Sequence, residues 1–184
     1  MAFLESLRNF LVRPAARKFT VVEPAPITAY RVRPLGTGNL DEVLRLNLRC
    51  FAKGENYTKH TFSYLLGQPN SLCFQAVTAE GRMAGFLFTL IGDNGIAHIT
   101  TVGVAPEHRR RRLAARLLDE LDRALIERGI ASIVLEVRVR NRPAQRLYES
   151  CGYSVTQRIE GYYNDGEDGF LMMKVLPAAL PQDA

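Results

Sequence analysis

Val102-Gly103-Val104-Ala105-Pro106-Glu107-His108-Arg109-Arg110-Arg111-Arg112-Leu113-Ala114 decides the fold: an apolar strand stops at a proline, and a basic turn with small residues behind it opens a helix. The first N–H groups of a helix lack intrahelical acceptors and carry the positive end of the macrodipole. Such a junction holds an anion through main chain as much as through side chains. A run of arginines is, taken alone, most often a solvated helix face. Solvation gives no reason for Ala114 and Ala115 to follow the run, whereas close approach of a ligand to the backbone does.

Downstream of the junction, Ala114, Leu117, Leu118, Leu121 and Leu125 recur at i, i+3, i+4, i+7 and i+11, the buried stripe of a helix that Gly129 ends at C′. Ile130 to Arg138 is a β-branched run too short for a helix and too apolar for a loop. It reads as a buried strand parallel to the one before the junction, which makes a βαβ unit. A helix over Arg142 to Cys151 follows, then strands at Tyr153 to Ile159 and Phe170 to Val175 around the polar loop Tyr162-Tyr163-Asn164-Asp165-Gly166-Glu167-Asp168-Gly169.

Upstream, residues 72–79, 82–91 and 95–104 read as three strands joined by hairpin turns at Ala79-Glu80-Gly81-Arg82 and Gly92-Asp93-Asn94-Gly95. A first strand is expected over Ile27 to Pro34. A helix capped by Asn39 or Asp41 then carries Leu40, Val43, Leu44, Leu46, Leu48 and Phe51. A second helix, Lys59 to Leu66, lies beyond Glu55-Asn56-Tyr57-Thr58. The pattern predicts an α/β (α+β) domain over residues 27–176, with a frayed tail at 177–184.

With 184 residues, 47% hydrophobic and 23% charged, the chain supports one buried core and not two. Residues 1–26 read as an appendage: Phe3, Leu4, Leu7, Phe10 and Leu11 at helical spacing, then Arg13, Arg17 and Lys18 and a linker at Pro24 and Pro26. The net charge of +5 favours anionic partners, a phosphorylated cofactor, an acidic peptide or RNA, without choosing among them. Cys50, Cys73 and Cys151 are scattered and histidines are few, so neither a metal site nor a disulfide framework is expected and a reducing cytoplasm fits. The longest apolar run, Ala84 to Ile91, is far below the ~18 residues of a membrane span, and no cleavable signal is visible.

Ligands of α/β sheets gather beyond the carboxyl ends of parallel strands, here Val104 and Arg138. Glu136, flanked by Leu135 and Val137, is a candidate general base there; a salt bridge to an arginine is the equally weighted alternative. Tyr148 shares a helix face with Ala144, Leu147 and Cys151, which reads as packing or as a proton donor facing the strand end. His98 shares a face with Thr100, Val102 and Val104 if the strand alternates without a bulge. Glu55, Tyr57, Tyr162 and Tyr163 are the loop groups best placed to grip an extended acceptor, or are exposed loop residues.

These residues resemble the GNAT superfamily of acetyl-coenzyme A-dependent N-acetyltransferases. The family's loop, Gln/Arg-x-x-Gly-x-Gly/Ala after a V-x-V strand, stands here as Arg109-Arg110-Arg111-Arg112-Leu113-Ala114, with Arg112 replacing the first glycine. Leu135-Glu136-Val137-Arg138, Asn141, Ala144 and Leu147-Tyr148-Glu149-Ser150-Cys151-Gly152-Tyr153 resemble segments of the bacterial ribosomal-protein alanine N-acetyltransferases. Glu55-Asn56-Tyr57, Ala97-His98-Ile99-Thr100 and Tyr162 through Asp168 resemble catalytic subunits of the N-terminal acetyltransferases.

The resemblance implies a mixed, mostly antiparallel sheet of about seven strands, splayed at a central parallel pair. It implies that Val102, Gly103 and Val104 pair with the pantetheine of acetyl-CoA and that the loop from Arg109 through Ala115 holds its pyrophosphate. Asn141 and Tyr148 then lie near the thioester. It makes Glu136 the base, with His98 or Glu55 as alternatives, Tyr148 the acid, and Glu55, Tyr57, Tyr162 and Tyr163 the grip on a protein N-terminus. Direct transfer needs no metal. The acceptor implied is a protein or peptide, with ribosome association, no specific nucleic acid and no membrane span. Acetylation of lysine or of a small amine, or a non-catalytic CoA- or RNA-binding module, are the competing readings. Arg112 either takes a helical backbone with its stem toward solvent or weakens the cofactor.

Overall fold

The computed structural model describes residues 11–12, 22–51 and 56–178. In chain order its elements are β1 (Leu11–Val12), β2 (Tyr30–Pro34), α1 (Leu40–Cys50), β3 (Asn56–Tyr57), α2 (Lys59–Gly67), β4 (Ser71–Thr78) and β5 (Met83–Ile91). There follow β6 (Ile96–Val104), α3 (Leu113–Ile126), β7 (Ser132–Arg138), α4 (Arg142–Ser150), β8 (Ser154–Ile159) and β9 (Gly169–Val175).

The apolar runs between glycine turns form one seven-stranded sheet in the order β2-β4-β5-β6-β7-β9-β8. Its meander turns place Gly81 (φ 80°) and Gly95 (φ 71°) in the left-handed region, which a β-carbon disfavours. β6 and β7 run parallel and pair over Ile96–His98 against Ser132–Val134. The other neighbouring strands of the sheet are antiparallel. Past His98 and Val134 the pairing of the two central strands ends, so each presents an unpaired lip toward the other. The expected splayed, mostly antiparallel sheet is what the chain forms.

Helices cover both faces. The α3 stripe packs Leu117, Leu118, Leu121 and Leu125 against Leu87, Ile99, Ile133, Leu135 and Met172. On the opposite face α1 and α2 bury Val43, Leu46, Phe62 and Leu65 against Phe86, Phe88 and Leu90. Each such side chain contributes about 1.5–3 kcal/mol of burial. The leucine stripe therefore fixes α3 about its axis and with it the position of the helix N-terminus just past β6. Gly129 (φ 70°) closes α3 as expected: its N–H reaches the Ile126 carbonyl at 2.9 Å and the Ile130 N–H reaches Leu125 at 3.0 Å.

Three expectations change. β2 begins at Tyr30 and not at Ile27, whose side chain is 98% exposed. Leu11 is not helical: Leu11 and Val12 pair antiparallel with Tyr57 and Asn56, so their backbone bonds go to another strand. Asn39 stands at the start of α1, but its side-chain oxygen accepts from the Gly36 N–H and from Gln75 and does not cap the helix. The remaining residues of the 1–21 segment, Glu55 and the tail from 179 onward lie outside the described residues. No helix among the described residues is long and apolar enough to cross a membrane.

Candidate active site

The splay builds the site, and a bulge sets what faces it. Phe88 stands opposite Thr101 while Thr89 stands opposite Ile99, so Thr100 is an extra residue in β6. Side chains alternate with period two, and one insertion exchanges the faces beyond it. His98 therefore shares its face with Thr101 and Gly103, and the unbroken alternation with Val102 and Val104 does not hold. In β7 the residues Ile133, Leu135 and Val137 turn to the α3 side, which turns Glu136 to the side of His98. The two meet: His98 Nε2 lies 2.7 Å from Glu136 Oε2, with both side chains about 5–6% exposed. Histidine, not arginine, is the partner of Glu136. The other carboxylate oxygen, Oε1, is buried and has no hydrogen-bond partner.

A cleft of about 170 Å³ opens above this pair, walled by Phe51, Tyr57, Asn141, Tyr148, Tyr162 and Tyr163. The Tyr57 hydroxyl donates to the Thr100 carbonyl at 2.9 Å, so the bulge is stitched to β3 and the phenol serves as wall. Burial pushes the Tyr57 phenol well above its usual range. Asn141 caps α4, its side-chain oxygen accepting from the Ala144 N–H at 3.3 Å. Tyr148, two turns beyond Asn141 along α4, packs edge-on to Tyr153. Burial pushes its hydroxyl up to about 12, which keeps it protonated at neutral pH. Gln145 holds the end of β7 by donating to the carbonyls of Arg138 and Val139 at 2.9 and 2.8 Å.

Tyr162 and Tyr163, edge to face with ring centroids 5.0 Å apart, are held by a device the sequence reading did not assign. Arg138 Nη1 lies 3.0 Å from Asp165 and 2.8 Å from Glu167, and its guanidinium sits 3.9 Å from the Tyr163 ring centroid. Glu167 also accepts from the Arg140 N–H, and Asp168 from the Gly161 N–H. Arg138 hydrogen bonds hold the Asp165 carboxyl below its usual range. The available signal was three acids, Asp165, Glu167 and Asp168, in one loop of a basic chain. Gly169 leaves room for Tyr162, whose ring atoms would lie 3.2–3.3 Å from any β-carbon there.

At the basic junction Arg110 (φ 63°) and Arg112 (φ 59°) are both left-handed. Arg112 thus keeps the conformation that suits glycine and does not take a right-handed helical backbone, at about 1–2 kcal/mol for each such residue. Leu113, Ala114 and Ala115 open α3 with N–H groups that have no intrahelical acceptor, and left-handed residues in such a turn gather N–H groups into an anion-binding concavity. The arginines do not act alike. Exposed Arg109 donates to the carbonyls of Val104 and Cys50, and half-buried Arg111 to those of Ala25 and Pro26; Arg110 and Arg112 are exposed and left-handed. Gly103 lacks a β-carbon because one would meet Phe86 Cζ at 2.5 Å.

The site therefore joins an anion cradle at a helix start, an unpaired strand lip beside it, and a buried carboxylate with one orphaned oxygen. These features fit a long donor with a phosphate at one end and a reactive carbonyl at the other. Residues 40–153 match the model of the acetyltransferase (GNAT) family. An uncharacterised N-acetyltransferase of Methanocaldococcus jannaschii is 33% identical over 153 residues, 80% of this chain and 93% of its own. An N-alpha-acetyltransferase of Caenorhabditis elegans is 32% identical over 152 residues, 79% of this chain and 82% of its own. The ribosomal-protein-S18-alanine N-acetyltransferase of Escherichia coli superposes with a TM-score of 0.75 at 29% identity, covering 85% of this chain and 99% of that one. The chain belongs to the GNAT family of acetyltransferases.

Proposed function

We propose that the chain transfers the acetyl group of acetyl-CoA directly to the α-amino group of a protein N-terminus, with a ribosomal protein among the candidate acceptors. The observation that carries this reading is the buried Glu136–His98 pair in a cleft between a donor lip and a tyrosine loop. The N–H groups of Leu113, Ala114 and Ala115 and the loop from Arg109 to Arg112 would hold the pyrophosphate. The lip Val102 to Val104 would hold the pantetheine amides, with Asn141 and Tyr148 beside the thioester. Acetyl-CoA supplies an activated acetyl group on a sulfur that needs a proton as it leaves.

Glu136 Oε1 accepts the proton of the incoming α-ammonium, directly or through a water, because an ammonium has no lone pair with which to attack. His98 orients Glu136 through its grip on Oε2. Tyr148 gives its hydroxyl proton to the departing sulfur. Tyr162 and Tyr163, braced by Arg138, clamp the first residues of the acceptor, with Tyr57 as the opposite wall. A cleft this narrow favours a small first residue and obstructs an internal lysine. Turnover with acetyl-CoA against N-terminal peptides, internal-lysine peptides and polyamines tests the proposal. N-terminal peptides are expected to be acetylated fastest, and preference for lysine or polyamine overturns it.

A further inference from the structure

We infer that Arg111 is a positioning residue for the donor: it clamps the segment ahead of β2 and so holds the left-handed backbone on either side of it in the anion-binding shape. The inference rests on the donor reading above. Glycine at position 112 would reach φ 59° without resistance, but an arginine there reaches it only if the surroundings impose it. The surroundings do so from one direction in particular. Arg111 Nη1 lies 2.8 Å from the Pro26 carbonyl and also reaches the Tyr30 hydroxyl, and Nη2 reaches the Ala25 carbonyl. The Ala25 N–H returns a bond to the Glu107 carbonyl at 2.9 Å. The Tyr30 hydroxyl lies 2.9 Å from His108 Nδ1, and Arg116 Nη2 reaches the Tyr30 carbonyl at 2.9 Å.

Residues Ala25 to Tyr30 therefore grip the loop before, within and after the two strained positions. They belong to the donor site even though they precede the sheet. The guanidinium of Arg111 is turned to these carbonyls, so what it gives a bound anion is the shape of the loop. A planar fork that reaches Ala25, Pro26 and Tyr30 at once is a geometry lysine does not reproduce.

The test is calorimetric titration of CoA into the full chain, in two backgrounds. Arg111→Gln is expected to weaken CoA about tenfold, equivalent to about 1.4 kcal/mol. In the Arg110→Gly/Arg112→Gly background, where no strain needs holding, the same change is expected to cost less than about twofold, since coupled residues depart from additivity. Arg111→Lys, which keeps the charge, is expected to behave as Arg111→Gln. In steady state KM for acetyl-CoA rises while kcat and the acceptor KM stay unchanged. Equal losses in both backgrounds, or full rescue by lysine, overturn the clamp. Failure of the unaltered chain to bind CoA defeats the donor reading itself, whereas CoA binding indifferent to Arg111→Gln defeats the clamp alone.

Discussion

His98→Ala leaves the Glu136 side chain in place, 6% exposed, with Oε1 already lacking a partner and Oε2 newly deprived of its own. Breaking a buried pair from one side costs about 3–5 kcal/mol, because the polar group left behind is no longer compensated. For a domain of this size each kcal/mol shifts the midpoint by roughly 2–4 °C, so Tm is expected to fall on the order of 10 °C. Glu136→Gln keeps the shape and a hydrogen-bonding atom for His98, so its stability cost stays near about 1 kcal/mol. It removes the proton acceptor, however, and kcat is expected to fall about 10²–10⁴-fold. The double change His98→Leu/Glu136→Leu removes both polar groups together and is expected to return stability to the starting value or above it, by up to about 4 kcal/mol, with no turnover. Thermal unfolding and single-turnover acetylation on the same preparations measure both sides. Unchanged Tm in His98→Ala, or wild-type turnover in Glu136→Gln, would refute the pair as a buried catalytic unit.

Gly103→Ala puts a β-carbon 2.5 Å from Phe86 Cζ and is expected to destabilise by about 1–3 kcal/mol in denaturant titrations, with partial recovery on adding Phe86→Leu. Arg138→Met releases Asp165, Glu167 and the Tyr163 ring, so the acceptor KM is expected to rise about tenfold while that for acetyl-CoA holds; a change confined to acetyl-CoA contradicts this. Burial pushes the Tyr148 hydroxyl up to about 12, so as an acid it is expected to stay competent and to contribute no falling limb to kcat between pH 7 and 10. Tyr148→Phe is expected to lower kcat about 10²-fold, and a limb below pH 10 that this variant abolishes would count against the assignment.

The sheet, its hairpins and the α3 stripe were legible in the sequence because period and turn residues are local properties. The leucines of α3 repeat on one face, and Gly129 sits where a left-handed C′ residue belongs. The Thr100 bulge was not legible, since an insertion in β6 is decided by its register against β5. The pairing of His98 with Glu136, 38 residues apart, depends on the parallel register of β6 against β7, which neither strand's own pattern sets. Arg112 stands in the sequence as a departure from glycine, but side-chain identity does not reveal a positive φ. The brace of Tyr162 and Tyr163 was missed because Arg138 lies on another strand from its acids. Ala25 and Pro26 looked like linker because carbonyl acceptors leave no mark in a side-chain pattern.

The short seam between β6 and β7 also shapes how the molecule opens. Three residue pairs join the β2, β4, β5 and β6 block to the β7, β9 and β8 block through main chain, and the leucines of α3 bind both from one side. The shared apolar core, not main chain, therefore carries most of the coupling, and amide protection within β6 and β7 is expected to drop past His98 and Val134, where their mutual hydrogen bonds end. A ligand lodged between the two lips acts as a removable cross-link. At about a hundred times its dissociation constant such a ligand adds about 2.7 kcal/mol to the native state, an increment that thermal unfolding with and without it would read.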